Sequence, residues 1–263
     1  MNSDRDIPLF EDDFDEAGVI EASLLHRPLA VSPIAVLCFF NDLLGRLLES
    51  GHLEEVHALR SEIGRNPVYR LRVEDRHILV VHPGVGAPLA AGFLEETLAL
   101  GVTTVVACGG AGALREEHDL GRVMVVNSAV RDEGTSFHYA PPSRIQEADA
   151  SAVAIVSNSL TQHGVEHMVG RTWTTDALFR ETRSRVQRRV AEGCEMVEME
   201  ASALLAVAAY RRINFAHILY AGDMVASEEW DSRHWDSAHD FREILFFAAA
   251  RAALDLHDKS PAA

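Results

Sequence analysis

The sequence predicts one α/β domain, and three observations carry that prediction. Its 263 residues, 48% of them apolar, are enough to bury one sizeable core, and this is a common length for a single α/β unit. Strand, glycine-rich loop and helix recur along the chain, the sign of a sheet that gathers its ligand-holding groups at strand ends. No repeat or low-complexity linker interrupts this order, so residues 34–263 read as one domain behind an N-terminal arm, residues 1–33.

Residues 1–16 are acidic and nearly unpatterned, a mobile or docking arm, and an irregular link through Pro28 and Pro33 follows. Residues 34–40 read as a buried strand. Asn41-Asp42 then caps a helix carrying Leu43, Leu44, Leu47 and Leu48 that Gly51 stops, and a second helix spans 53–63 up to Gly64. Strands at 68–73 and 77–81 form a hairpin about Glu74-Asp75-Arg76. The second runs into His82-Pro83-Gly84-Val85-Gly86-Ala87-Pro88, which opens a helix to Leu100. A strand at 102–108 ends in the loop Gly109-Gly110-Ala111-Gly112-Ala113, and a strand at 123–126 leads to the polar loop Arg131 to Tyr139. Next come a helix at 148–163, a strand at 168–172, the loop Trp173-Thr174-Thr175-Asp176 and a basic helix at 180–192. Residues 196–200 end a strand, 201–211 form a small-residue helix, and 215–221 form a strand ending in Gly222-Asp223. A tryptophan-rich loop, 227–236, precedes the last helix, 238–257.

The balance of 24 basic against 40 acidic residues gives a formal charge of −16, which opposes binding to nucleic acid or to an anionic membrane. Lys259 is the only lysine, so Schiff-base chemistry and a phosphate-loop lysine are excluded from the body of the protein. Any anion must be held by arginine, histidine or backbone N–H groups. Three cysteines, Cys38, Cys108 and Cys194, cannot all pair within the chain, which fits a reducing cytoplasm. The start of the chain lacks a basic segment followed by an apolar one, and no apolar run approaches the ~20 residues of a membrane span; a soluble cytoplasmic protein is expected.

Gly84 to Leu89 begins like a dinucleotide fingerprint, but Leu89 replaces the third small residue and no acid ends the next strand, which argues against a nicotinamide cofactor. The loop is either a structural turn or a set of N–H donors at a helix start, suited to a phosphate or a sugar hydroxyl. His163 and His167 are separated by Gly164, and His234 and His239 lack ligand spacing, so no metal is expected. Glu198 and Glu200 fall on one face of a strand end with Met199 opposite, beside a helix start. They read either as a ligand-binding edge or as acids favoured by the positive helix terminus. Asp223, a lone carboxylate closing an apolar strand, is expected to be partly desolvated and suited to donate a proton, or else to cap a helix.

In order and spacing, five stretches resemble the nucleoside phosphorylase superfamily: Gly109-Gly110-Ala111-Gly112-Ala113-Leu114, Arg131 to Tyr139, Thr174 to Thr182, Val197-Glu198-Met199-Glu200-Ala201, and Gly222-Asp223. That group holds uridine phosphorylases, hexameric-type purine nucleoside phosphorylases and nucleosidases, and the Glu-Met-Glu-Ala element is its most specific motif here. The resemblance implies a three-layer αβα fold around a twisted mixed sheet, and cleavage of a nucleoside's N-glycosidic bond by phosphate, or by water in the nucleosidases, without a cofactor. It implies Glu200 on the ribose 2′ and 3′ hydroxyls, Met199 against the sugar, Glu198 supporting that site, and Leu178 or Phe179 lining the base pocket. Asp223 falls where purine-specific members place the acid that protonates the leaving base. Uridine-specific members have arginine there and read uracil with a Gln and an Arg where this chain has Thr182 and Ser184, so a purine-type nucleoside is expected.

Two departures touch the acceptor site. The family's Gly-Asp-Pro-x-Arg phosphate loop is replaced by Cys38-Phe39-Phe40-Asn41-Asp42, and its second phosphate-binding arginine by Ala107. Candidates to hold phosphate or water are Gly86, Gly110, Ala111, Arg131 and His82, with Arg65 reaching in from a neighbouring subunit. Phosphorolysis of a purine-type nucleoside, hydrolysis, a uridine phosphorylase activity and nucleoside binding without turnover are the readings this leaves. The resemblance also implies a homo-oligomer, a dimer or a trimer of dimers, with the acidic arm and the 131–139 loop as candidate contacts.

Overall fold

Strand β1 (Ile34–Cys38) is buried at every position, the pattern of a central parallel strand covered on both faces. The computed structural model that shows this describes residues 7–11, 14, 17–227 and 229–260, so most of the acidic 1–16 arm lies outside the described residues. The other strands are β2 (Leu53–Ser61), β3 (Gly64–Val73), β4 (Arg76–Val81), β5 (Thr104–Ala113), β6 (Val123–Asp132), β7 (Ile145–Glu147), β8 (His167–Thr175), β9 (Cys194–Glu198) and β10 (Asn214–Met224). Between them lie helices α1 (Ala22–Leu25), α2 (Asn41–Glu49), α3 (Ala87–Ala99), α4 (Ala150–Gln162), α5 (Arg183–Ala191), α6 (Ala201–Arg211) and α7 (His239–Lys259).

The sheet order is β10-β6-β8-β9-β5-β1-β4-β3-β2, with β7 on β6. Because β10 also pairs with β5, the strands β10, β6, β8, β9 and β5 close into a ring, and β1, β4, β3 and β2 extend from it as an open wing. Pairing is mixed: β1 runs parallel to β4 and β5, and β10 parallel to β5, whereas β9 meets β5 antiparallel. The parallel set therefore delivers Cys38, Val81, Ala113 and Met224 to one edge, and β9 brings Val197 beside Gly112.

Alternation along β1 divides the core. Ile34, Val36 and Cys38 pack with Val156 of α4 and Phe246 and Ala249 of α7, while Ala35 and Leu37 pack with Leu94 of α3 and Leu204 of α6. Helices cover both faces, giving the three-layer αβα arrangement expected from the family resemblance.

Three expectations need correction. Residues 53–63 are not a helix: Leu53, Val56 and Leu59 have helical spacing, but the stretch is edge strand β2, joined to β3 by a turn whose Gly64 has φ +105°. Cross-strand ion pairs Arg70–Glu54 and Arg65–Glu55 fasten that edge. Nor is 109–113 a loop before a helix: these residues continue β5, hydrogen-bonded to β10, and β6 is the next regular element. Their missing side chains let neighbours approach, since a Cβ would meet Phe39 at 3.0 Å on Gly109, Tyr220 at 3.2 Å on Gly110 and Val225 at 2.7 Å on Gly112. Finally, β8 and β10 run further than expected, to Thr175 and Met224, and β9 stops at Glu198, so Glu200 is the residue that opens α6.

Gly112→Ala should destabilise the protein by about 1–3 kcal/mol through overpacking against Val225 and Val197. Gly45→Ala, exposed within α2 with nothing inside 4 Å, should stabilise it by about 0.5–1 kcal/mol. Urea midpoints at unchanged m-value read both.

Candidate active site

The acidic pair is built from the β9–α6 junction. Glu198, buried at the end of β9, turns its carboxylate onto the start of α6: Oε2 accepts the N–H of Glu200 at 2.7 Å and of Ala201 at 2.6 Å. Its Oε1 accepts Thr174 Oγ1 at 2.6 Å. The positive helix terminus is thus satisfied by Glu198, which leaves Glu200 for another task.

Glu200, also buried, accepts the Gly86 N–H at 2.6 Å through Oε1. Gly86 presents that N–H from a backbone at φ +94°, a conformation a side chain would strain. It is also the residue that leads into α3, so this one bond connects the β4–α3 loop to the α6 start. Burial raises the pKa of both carboxyls, and the charge of Glu200 raises that of Glu198 further; the N–H donors pull the other way without cancelling this. Met199, half-buried, lies between the two.

Side chains the sequence reading left unassigned hold this arrangement in place. Thr174 Oγ1 accepts the Ser202 N–H at 2.9 Å, and Ser202 Oγ donates to Glu133 Oε1 at 2.9 Å. Glu133 in turn accepts the Ser136 N–H at 2.9 Å and its hydroxyl. Ser136 also accepts Arg131 Nε at 2.8 Å. The 131–139 motif and the Glu-Met-Glu motif are therefore two ends of one buried hydrogen-bonded network.

That network redefines Arg131. Its guanidinium is buried over the Phe137 ring at 4.0 Å and donates to the Pro141 carbonyl, the Ser143 hydroxyl and the Ala140 carbonyl as well as Ser136. Arg131 braces its own loop, and these bonds occupy the donors expected to meet a phosphate. Phe10 packs edge-on against the same Phe137, with ring centroids 5.3 Å apart. Arg65, paired with Glu55 on the β2–β3 hairpin, stands next to Asn66, whose amide donates to the His82 carbonyl at 2.9 Å.

Asp223 closes β10, half-buried, with Oδ1 3.5 Å from the point where Gly112 would carry a Cβ. Met224 and Asp231 exchange backbone hydrogen bonds, folding the tryptophan-rich loop back so that Trp230 Nε1 donates to Asp223 Oδ2 at 2.7 Å. Glu181, which the sequence reading passed over, lies near enough for Asp223 to act on it. Burial, then the Asp223 charge, push its pKa up to about 7. Leu178 and Phe179 occupy a short 3-10 turn and are 47% and 91% exposed, so neither is enclosed by a base pocket within the chain.

At the end of β4, His82 is half-buried and its Nδ1 accepts the Gly84 N–H at 3.0 Å; burial lowers its pKa, which favours neutral imidazole. Phe39 stacks on His217 at 6.1 Å and meets His82 edge-on at 6.2 Å. His217 is fully buried, with its pKa pushed down to about 3 by burial and both ring nitrogens unpartnered among the described residues. No cluster of potential metal ligands occurs among the described residues, and none of their helices is long and apolar enough to cross a membrane.

A family model described as the phosphorylase superfamily matches residues 33–254. The chain belongs to the phosphorylase superfamily. A guanosine phosphorylase of Halorubrum lacusprofundi is 28% identical over 153 residues, 58% of this chain and 64% of that relative, so the match falls short of two thirds of its length. Uridine phosphorylase from Vibrio fischeri superposes with a TM-score of 0.70 at 26% identity, covering 88% of this chain and 93% of the other. Purine nucleoside phosphorylase from Toxoplasma gondii superposes with a TM-score of 0.74 at 18% identity, covering 87% and 93%, a likeness of fold. Among phosphorylase-superfamily features, the positions of the two expected phosphate-binding arginines here hold the 38–42 stretch and Ala107. Ala107 is buried in register with His217 and in one apolar cluster with Phe39.

Glu198→Ala should cost about 2–4 kcal/mol, because it leaves two backbone N–H groups of the α6 start without their acceptor. The raised pKa of Glu200 carries a sign. A carboxyl held above its ordinary value of 4.5 supports folding fully below that value, and the support is lost as pH rises through the raised range. Unfolding free energy should therefore fall more steeply between about pH 5 and 8 in the wild type than in Glu200→Gln, measured by urea titration at several pH values.

Proposed function

We propose that this protein cleaves the N-glycosidic bond of a purine-type nucleoside. The observation that carries the reading is the desolvated Glu200, held by the Gly86 N–H and relieved of helix capping by Glu198. In this reading Glu200 accepts the ribose 2′ and 3′ hydroxyls and Met199 packs against the sugar. A carboxylate there stabilises the electron-poor ribosyl cation that forms as the bond between the anomeric carbon and the base nitrogen breaks. Asp223 delivers a proton to the departing base, which accepts the electron pair of the broken bond.

Phosphate is the acceptor that superfamily membership supports, giving free base and ribose 1-phosphate. With the Gly86 N–H taken by Glu200, the backbone N–H groups of Gly110 and Ala111 are its remaining candidate donors, and Arg65 of an adjoining copy its candidate cation in a homo-oligomer. One specific observation favours water instead: Phe39 covers Gly109, and apolar Ala107 with neutral His217 stands where arginine is expected. Water attacking the anomeric carbon would yield free ribose.

Incubation with adenosine, inosine and uridine, with and without phosphate, should release base from the purine nucleosides. Ribose 1-phosphate that forms only with phosphate supports phosphorolysis, ribose formed without it supports hydrolysis, and no base release from any nucleoside would sink the proposal. Asp223→Asn should lower kcat by about 10²–10⁴-fold while KM changes little, the mark of a proton donor acting in the transition state.

A further inference from the structure

We infer that Glu181 is a base-reading residue that, together with Asp223, selects nucleosides whose base edge carries amino N–H donors, the aminopurines, over 6-oxopurines without an amino group and over uracil. The inference rests on the proposed nucleoside site and extends it to the face of the base.

The chain brings Glu181 there by two anchors. Its own N–H closes the 3-10 turn onto the Leu178 carbonyl at 3.2 Å. Two residues on, Arg183 Nη1 donates to the Val225 carbonyl at 3.2 Å and to the Ser227 carbonyl, so the start of α5 is clasped to the segment that follows Asp223. Asp223 is fixed from the other side by the Trp230 indole. Two carboxyls from different elements are therefore held near each other, close enough for the charge of Asp223 to act on Glu181.

Their partners differ. Asp223 has the Trp230 N–H, whereas no hydrogen bond or ion pair reaches the Glu181 side chain from the described residues. A half-buried carboxyl without a donor is an unfavourable state that a ligand bringing N–H groups relieves. The pKa of about 7, raised by burial and then by Asp223, is the expression of that deficit. Adenine offers an exocyclic amino group, and guanine an amino group beside a ring N–H. Uracil offers one N–H between two carbonyl oxygens, which face a carboxylate unfavourably, and hypoxanthine has no amino group. The chemistry is that of an acceptor-rich reader meeting a donor-rich edge.

Calorimetric titration of the intact protein with free adenine, guanine, hypoxanthine and uracil tests the inference without requiring turnover. At least one aminopurine should bind on the order of 10–100-fold more tightly than hypoxanthine and uracil. In Glu181→Gln, whose amide can donate to a carbonyl oxygen, that ratio should shrink or invert; Glu181→Asp should keep its direction. Equal affinity for all four bases, or a ratio unchanged in a folded Glu181→Gln protein, would overturn it. Should Glu181→Gln fail to fold, the wild-type ratio and Glu181→Asp decide. Selective aminopurine binding without base release from any nucleoside would leave Glu181 in its role and refute the proposed reaction alone.

Discussion

The buried carboxylate of Glu198 is the contact on which the rest of the site depends. It ends β9, satisfies the first N–H groups of α6 and receives Thr174 from β8, so two strands and a helix meet on one side chain. Burying an acid at such a junction is costly unless its lone pairs are used, and here two backbone N–H groups and the hydroxyls of Thr174 and, at 3.5 Å, Thr172 use them. Once α6 is capped in this way, Glu200 can face a ligand and Ser202 can reach Glu133. Of the two readings of the acidic pair, the contact with the helix start falls to Glu198, and Glu200 is the member left for the ribose-binding role proposed for it.

Much of this was legible in the sequence because period and punctuation agree with packing over most of the chain. The buried run at 34–40 and the helices α4 and α6 follow from local pattern, whereas Asn41-Asp42 lies inside α2, whose N-cap is Phe40 with no side-chain cap bond. The misread segments are those where tertiary contacts override it. Leu53, Val56 and Leu59 have helix spacing, but pairing with β3 and the turn at Gly64 make a strand. The glycines at 109, 110 and 112 look like a loop, whereas each keeps space for a ring or methyl group arriving from elsewhere in the chain. Within the site, Glu198, Glu200 and Asp223 stand out as carboxylates at strand ends. Glu181 does not, because nothing local distinguishes it from the surface acids of a chain this acidic. Its neighbour Asp223 lies 42 residues away, and the Arg183 clasp, with Val186 and Val225 in one apolar cluster, brings their segments together.

The two ends of the site contrast in chemistry. The proposed base end is acidic and open, with Trp230 64% exposed beside Asp223. The proposed acceptor end is aromatic, and burial lowers the pKa of both His82 and His217 there. Such a division matches a reaction in which a proton is managed at the leaving group while the incoming group meets little fixed charge from its own chain.

The stack of Phe39 on His217 bears on how this acceptor end can change over descent. Ala107 lies in register with His217 and shares a cluster with Phe39, so an arginine introduced at 107 alone would enter space already filled by two rings. A smaller residue at 39 alone would open a cavity lined by a histidine without a partner among the described residues. Each single step is unfavourable on its own, and positions 39, 107 and 217 are bound to vary as a set. Lineages in which one of the three has moved should show compensating residues at the other two.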